Sequence, residues 1–369
     1  MRNNFLQSVL KVDNVGAHME DIVHTAASKP HLLIELFKEI IDRYSQPFAW
    51  QIDSVRERII TSLCLTKGEK QIQCLLEIVP LMTEETELRS IANMLAFAQD
   101  YQVLTDAILS NTGNLSEHFI LLLSHELITR GCNLREFGNY YDYVDNANKN
   151  SVFKGLTLYP LDIEKDLALR CYGGVNFSMS HGNDYGFSPE GEEYKPLDST
   201  SDSVEIEHCE KNDAIAKFVW NWKEHSNGVF VSAKGRYKRI DSEVGLLRQV
   251  VWEWLRPEIP KDAVVQYMLR SMTPHKIFRS VFSACQAGGA YSRGEYGAIG
   301  RLYSWESLHA MTAADTFVSN QAAFLQIQEF DWYEFDLDKW YDHIAWDIGI
   351  LGINRNTREF AFLAVTDTD

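Results

Sequence analysis

The stretch ACQAGGAYSRGEYGAIGRLYSW, residues 284–305, carries five glycines and two arginines between two helix-like runs. Gly294, Gly297 and Gly300 recur at three-residue spacing, flanked by Arg293 and Arg301. Glycines let backbone N–H groups approach a ligand closely, and arginine adds positive charge. A phosphate or carboxylate binds where such amides meet the positive end of a helix dipole. The spacing predicts that the loop delivers Gly300 and Arg301 to a helix N-terminus, making a small-anion site of these five residues. The basic run KGRYKR, residues 234–239, would join if it folds close by. The pattern differs from the dinucleotide fingerprint, which follows a strand, and no G-K-[ST] occurs in the chain, which excludes a P-loop. Glycines serve equally well for close helix packing and positive φ, so a purely structural loop stays open as an alternative.

Other residues with chemical potential are fewer. SMSHGND places Ser178, Ser180, His181 and Asp184 together, and His181 is the single acid–base candidate. No G-x-S-x-G elbow accompanies it. HELIT lacks the second histidine of a zinc protease pair, and HCE lacks the P-C-x-x-C partner of zinc deaminases. His118 and His125 share a helix face without further ligands. The run EFDWYEFDLDKWYDHIAWD sets acids among aromatics without the spacing or glycine of a calcium loop. Trp332, Tyr333, Trp340 and Tyr341 in it are the expected anchors of a protein interface. The terminal TDTD is expected to fray. No metal and no cofactor is expected.

Charge narrows the function classes. The 369 residues carry a formal net charge of −17, which disfavours broad nucleic-acid or membrane-surface binding. Residues 211–301 reverse the sign, with 8 acids and 15 bases, net +7. Such a segment either binds an anion or pairs with acids elsewhere in the chain, and the second is the commoner arrangement. Six cysteines form no C-x-x-C pair, which fits buried reduced thiols. There is no secretory leader pattern and no run of 18 apolar residues, so a soluble cytoplasmic protein is expected.

These residues need elements to hold them. From about residue 18 to 147 the apolar spacing follows the helix period, with starts near 30, 52, 69, 84, 100, 116 and 134. Asn114 reads as an N-cap and Gly131 as a stop. This predicts an all-helical N-terminal stack over 1–150, either solenoid-like or an irregular bundle. Residues 151–369 alternate between strand and helix patterns and read as a mixed α/β domain, giving an α+β protein overall. Within that domain 188–203 reads as a flexible acidic loop. Thr273 and Pro274 open a helix, AAFLQIQEFDWYEF reads as a strand, and IAWDIGILGI with EFAFLAV reads as an antiparallel C-terminal hairpin. FAFLAV, apolar on both faces, is predicted to be a central strand.

GGAYSRGEYGAIGRLYSW, WDIGILGI and LAVTDTD resemble an uncharacterised bacterial protein family, a domain of unknown function, over about residues 270–369. The resemblance implies a bacterial source and one domain for these segments, and supplies no activity, cofactor or catalytic residue. The residues themselves lean away from an enzyme. They point to a binding protein that neutralises or recruits a basic protein partner, with a small-anion-binding protein or enzyme at the glycine loop as the alternative.

Overall fold

The computed structural model of the chain describes residues 2–44, 47–172, 179–180, 193–199, 202–313, 316–343 and 346–368. Two compact units emerge: Met1–Val152 with Arg170–Ser180, and Phe153–Leu169 with His181–Asp369. The fold class is α+β, with helices predominating at the N-terminus and a seven-stranded antiparallel sheet after them.

The first unit contains helices α1 (Arg2–Val9), α2 (Gly16–Ser28), α3 (His31–Arg43), α4 (Trp50–Leu65), α5 (Glu69–Ile78), α6 (Glu85–Ala98), α7 (Tyr101–Leu109), α8 (Glu117–Thr129) and α9 (Gly138–Asn148). Starts expected at 52, 69, 84, 100 and 116 fall within two residues of the observed ones, because the apolar period marks each buried stripe. Two details differ. The cap of α8 is Ser116, whose hydroxyl accepts from Phe119 N at 3.2 Å, rather than Asn114. The helix expected at 134 begins as a 3-10 turn, Leu134–Phe137, and α9 starts only after Gly138 turns the chain at φ 40. Gly131 does end α8, at φ 86.

Helix α8 is buried from Phe119 to Thr129, so it forms the centre of this unit. Its one buried carboxylate, Glu126, is satisfied by Asn93 Nδ2 at 2.8 Å, and Asn93 Oδ1 accepts from Tyr172 at 2.7 Å. Tyr172 belongs to a two-residue strand, β1 (Cys171–Tyr172), paired antiparallel with β2 (Met179–Ser180). This chain of hydrogen bonds ties the returning segment onto α6 and α8.

None of the six cysteines is in a disulfide. Burial pushes the Cys64 thiol far up, and burial followed by the Glu136 carboxylate pushes Cys132 up to about 12, whereas Cys171 is exposed. Iodoacetamide applied to the native protein at about pH 8 is expected to modify Cys171 first, with Cys64 and Cys132 reacting only on denaturation. Equal rates at Cys64 and Cys171 would contradict the packing of this unit.

The second unit is built on a sheet in the order β3-β6-β7-β8-β9-β5-β4, every pair antiparallel. Its strands are β3 (Lys195–Pro196), β4 (Val204–Lys211), β5 (Val229–Ile240), β6 (Gln266–Met272), β7 (Asp331–Leu337), β8 (Ile348–Asn354) and β9 (Glu359–Thr366). Strands β8 and β9 form the expected hairpin, with Ile350 opposite Leu363. Asn354 Oδ1 shapes its turn by accepting from Asn356 N and Thr357 N. Phe360 to Val365 are buried without a break, as a central strand covered on both faces requires.

Five helices complete the unit: α10 (Trp220–His225), α11 (Glu243–Trp254), α12 (Pro274–Ala287), α13 (Tyr296–Thr312) and α14 (Asn320–Gln328). On one sheet face Leu246, Leu247, Val250 and Val251 of α11 pack with Phe335, Phe360 and Phe362. Against the other face lie α13 and a 3-10 segment, Asp213–Val219. The strand expected over AAFLQIQEFDWYEF is α14 followed by β7. Ser319 caps α14 through Ala322 N, and Ala323 and Ile327 form a four-residue helical repeat on the buried side, which outweighs the alternation read there. In the stretch read as a flexible acidic loop, Lys195–Pro196 pair with β6 and Leu197 is fully buried. No described helix is long and apolar enough to cross a membrane.

Candidate functional site

Helix α12 is capped by Thr273, whose hydroxyl accepts from Lys276 N at 3.2 Å, and it ends at Gly288 with φ 86. Helix α13 then begins at Tyr296, so Gly300 and Arg301 lie in its second turn and not at its N-terminus. The glycines here serve close packing. A Cβ on Gly294 would sit 1.9 Å from the Gln286 carbonyl oxygen, and one on Gly300 would touch Gln286 and Phe282 of α12 at 3.4 and 3.5 Å. Gly297 is buried in the first turn of α13.

One loop amide, that of Ala290, already meets an anion, and it belongs to the chain. Asp367, 1% exposed, accepts from Ala290 N at 2.7 Å through Oδ2. Ser226 donates its hydroxyl to the same carboxylate at 2.7 Å and accepts from Tyr291 N at 3.0 Å. Gly289 N donates to Ser292 Oγ at 2.9 Å and Glu295 N to the Cys285 carbonyl at 2.9 Å. The terminal segment expected to fray is therefore anchored, and Gly289 is glycine because a Cβ there would meet Asp367 Oδ2 at 2.0 Å.

Arg301 is equally committed. It is 0% exposed, with Nε donating to Glu164 Oε1 at 2.6 Å, Nη2 to Glu164 Oε2 at 3.1 Å and Nη1 to the Thr157 carbonyl at 2.9 Å. Glu164 also accepts from the Trp305 indole at 2.7 Å and from Leu161 N at 2.7 Å. This buried pair pins residues 157–164 onto α13 and cannot meet a solute. Arg293 is exposed, and its backbone carbonyl accepts from Asn221 Nδ2 at 2.9 Å. Of the five expected site residues, Arg301 is thus committed internally, Gly294, Gly297 and Gly300 are buried, and Arg293 is exposed.

The basic segment behaves in the same way. Lys217 pairs with Glu306 at 2.6 Å, Lys238 with Glu205 at 2.8 Å, Arg239 with Asp241 at 2.9 Å and Lys211 with Asp213 at 3.3 Å. Arg270 and Lys276 both reach the buried Glu334 carboxylate. KGRYKR runs along β5, with Lys238 and Arg239 pairing with these acids, and supplies no part of the loop.

The aromatic segment turns inward. Trp332 is 1% exposed and donates to the Ile327 carbonyl at 2.9 Å, and Tyr341 is buried and donates to the Ile348 carbonyl at 2.9 Å. Tyr333 and Trp340 are half-buried. Trp332 and Tyr341 are therefore not available to an exposed patch, because Trp332 lies on β7, an interior strand, and Tyr341, beyond its end, packs against Phe335. Asp336 of the same strand belongs to a constellation drawn from several segments. His343, at φ 56, places Nε2 2.8 Å from buried Asp336 Oδ1 and 3.1 Å from the Tyr194 hydroxyl. Its backbone N donates to Asp347, which also accepts from Thr366 at 2.6 Å. Burial pushes the Asp347 carboxyl up, and burial with the Asp336 charge pushes the Tyr194 phenol up. Tyr194 precedes β3, so this set braces the sheet edge. Ser178, His181 and Asp184 lie outside the described residues.

A cleft of about 380 Å³ opens in the second unit beside the start of α13. Asp213, Trp220, Asn221, Glu224, Glu295 and Tyr303 line it, together with Lys217. Asn221 is 5% exposed, its Nδ2 is spent on the Arg293 carbonyl, and its Oδ1 has no hydrogen-bond partner among the described residues. An unmet buried acceptor costs about 1–3 kcal/mol. Trp220, 37% exposed, donates its indole N–H to Glu224 at 2.6 Å. Nothing in the sequence WNWKEH distinguishes an unspent amide from a paired one. In the first unit a wider groove of about 960 Å³ is lined by Phe97, Tyr101 and Phe137 with Lys67, Glu69 and Asp100. Among the described residues no group of three or more His, Cys, Asp or Glu could hold a metal.

The chain belongs to DUF6183, a family of unknown function, which it matches over residues 15–369. The match takes in the helical unit as well as the sheet unit. No curated protein and no solved structure matches the chain.

Proposed function

For a member of that family with this internal arrangement, we propose a binding protein that recruits or neutralises a basic protein partner in the bacterial cytoplasm. The observation that carries this reading is where the positive charge goes. Seven of the fifteen bases of the basic segment, Lys211, Lys217, Lys238, Arg239, Arg270, Lys276 and Arg301, pair with carboxylates of their own unit, at Asp213, Glu306, Glu205, Asp241, Glu334 and Glu164. The Ala290 amide of the glycine loop is spent on Asp367. What faces outward from a protein of net charge −17 is then acceptor-rich, as at the Asp213–Glu224–Glu295 cleft. Such a surface attracts a basic partner and speeds encounter with it. The small-anion alternative loses support, because Arg301 is committed to Glu164 and Ala290 N of the loop to Asp367.

The test is association with a lysine- and arginine-rich peptide, compared with the same peptide carrying glutamine at those positions. Saturable binding of the basic peptide is expected at about 0.1 M salt and its loss towards 1 M, as the Debye length falls from about 10 to 3 Å. Binding that ignores salt, or that is equal for the glutamine peptide, would overturn the reading.

A further inference from the structure

We propose that the cleft lined by Asp213, Trp220, Asn221, Glu224 and Glu295 seats one cationic N–H donor of the ligand, a lysine ammonium or an arginine guanidinium. The inference deepens the reading above, on which it rests for taking the cation to be a partner's side chain.

Three features select this chemistry. First, the unspent group is an acceptor. Asn221 Nδ2 is held by the Arg293 carbonyl at 2.9 Å, which fixes the amide's orientation and leaves Oδ1 as its remaining function. Only an N–H or O–H donor satisfies it. Second, the charge around that acceptor is negative. Asp213, Glu224 and Glu295 line the cleft against Lys217, whose ammonium is already 2.6 Å from Glu306. Glu295 stands at the N-cap of α13, where its charge complements the helix dipole, while Asp213 meets Lys211 at 3.3 Å through Oδ1 and Glu224 takes the Trp220 indole through Oε1, which leaves each of these two one oxygen for a ligand. An anion is repelled by these carboxylates, and a neutral donor gains a hydrogen bond from them without the charge attraction a cation adds. Third, the walls suit a cation with an aliphatic stem. Trp220 and Tyr303 offer aromatic surface, and the unit already sets lysines over both rings, Lys223 at 5.4 Å and Lys217 at 4.8 Å. A volume of about 380 Å³ admits a side chain rather than a folded element.

The test titrates the full chain with N-acetyl-lysine methylamide, N-acetyl-arginine methylamide and the glutamine analogue, and with the lysine- and arginine-rich peptide. The two cationic amides are expected to bind saturably and the glutamine analogue not to, the tighter of the two identifying the seated group. Asn221→Ala is expected to weaken the cationic amides and the peptide about tenfold, a loss of about 1.4 kcal/mol. Because that change also releases the Arg293 carbonyl, Glu224→Gln is the second variant. It keeps an acceptor for the Trp220 indole and removes only charge, and it too is expected to weaken both. Equal binding of cationic and neutral amides, or unchanged affinity in both variants, overturns the proposal. Peptide binding that is strong in wild type and unaltered in both variants sinks this cleft as the seat while the basic-partner reading stands. Absence of peptide binding with retained amide binding sinks the partner reading and leaves the cation site.

Discussion

Replacing Glu164 by glutamine is expected to destabilise the sheet unit by about 3–5 kcal/mol, since it leaves the Arg301 guanidinium buried without a counter-charge. Arg301 sits inside the unit with no exposed surface, and four groups converge on it or on its partner: Thr157, Leu161, Glu164 and Trp305. The double variant Glu164→Gln with Arg301→Met is expected to be milder than either single change. It removes the stranded charge, while glutamine keeps an acceptor for the Trp305 indole and Leu161 N–H. Urea titration of the three variants decides the matter through their midpoints. A Glu164→Gln variant within about 0.5 kcal/mol of wild type would mean that this pair is solvated, as exposed sites are.

Asp367→Ala carries the second large effect. The carboxylate bridges Ser226 and Ala290 N, and its loss should cost about 1.5–3 kcal/mol for each charge-assisted hydrogen bond not replaced. The consequence for binding is more telling than the cost. Removing the internal anion vacates a loop whose amide faces a gap, with Ser226 beside it. Formate or acetate is therefore expected to raise the melting temperature of Asp367→Ala and leave wild type unmoved. A wild type stabilised as much as the variant would show that the loop has room for a guest while Asp367 is in place. A variant no less stable than wild type would show that the carboxylate does not close the loop.

Much of the fold was legible because it rests on periodicity. The N-terminal helices announce themselves by buried stripes such as Leu33, Phe37 and Ile40, and the β8–β9 hairpin by two uninterrupted apolar runs. The cap at Thr273 and the stop at Gly288 were legible because they depend on neighbours in sequence. The strand read into AAFLQIQ failed where alternation and a four-residue repeat overlap in a short apolar run.

The candidate site was far less legible, and the reason is range. Arg301 and Glu164 stand 137 residues apart and Ala290 and Asp367 77 apart, so no local pattern reveals that the arginine and the Ala290 amide are already taken. Glycine spacing is the same whether a loop cradles a phosphate or packs on Gln286. Trp332 and Tyr341 looked like interface anchors because acids surround them in sequence. Strand geometry then buried Glu334 and Asp336 with them, each beside a cation or an imidazole. The Asn221 cleft could be found only by asking which side-chain atoms remain unspent after folding.

One pair of titrations bears most directly on the claim that the chain occupies its own anion-binding groups and presents acceptors outward. Wild-type protein at about 0.1 M salt is titrated with pyrophosphate and, separately, with the lysine- and arginine-rich peptide, at an ionic strength where surface charge still acts over about 10 Å. The expected result is saturation by the peptide and no response to pyrophosphate. Saturation by pyrophosphate, with the peptide silent, would contradict it.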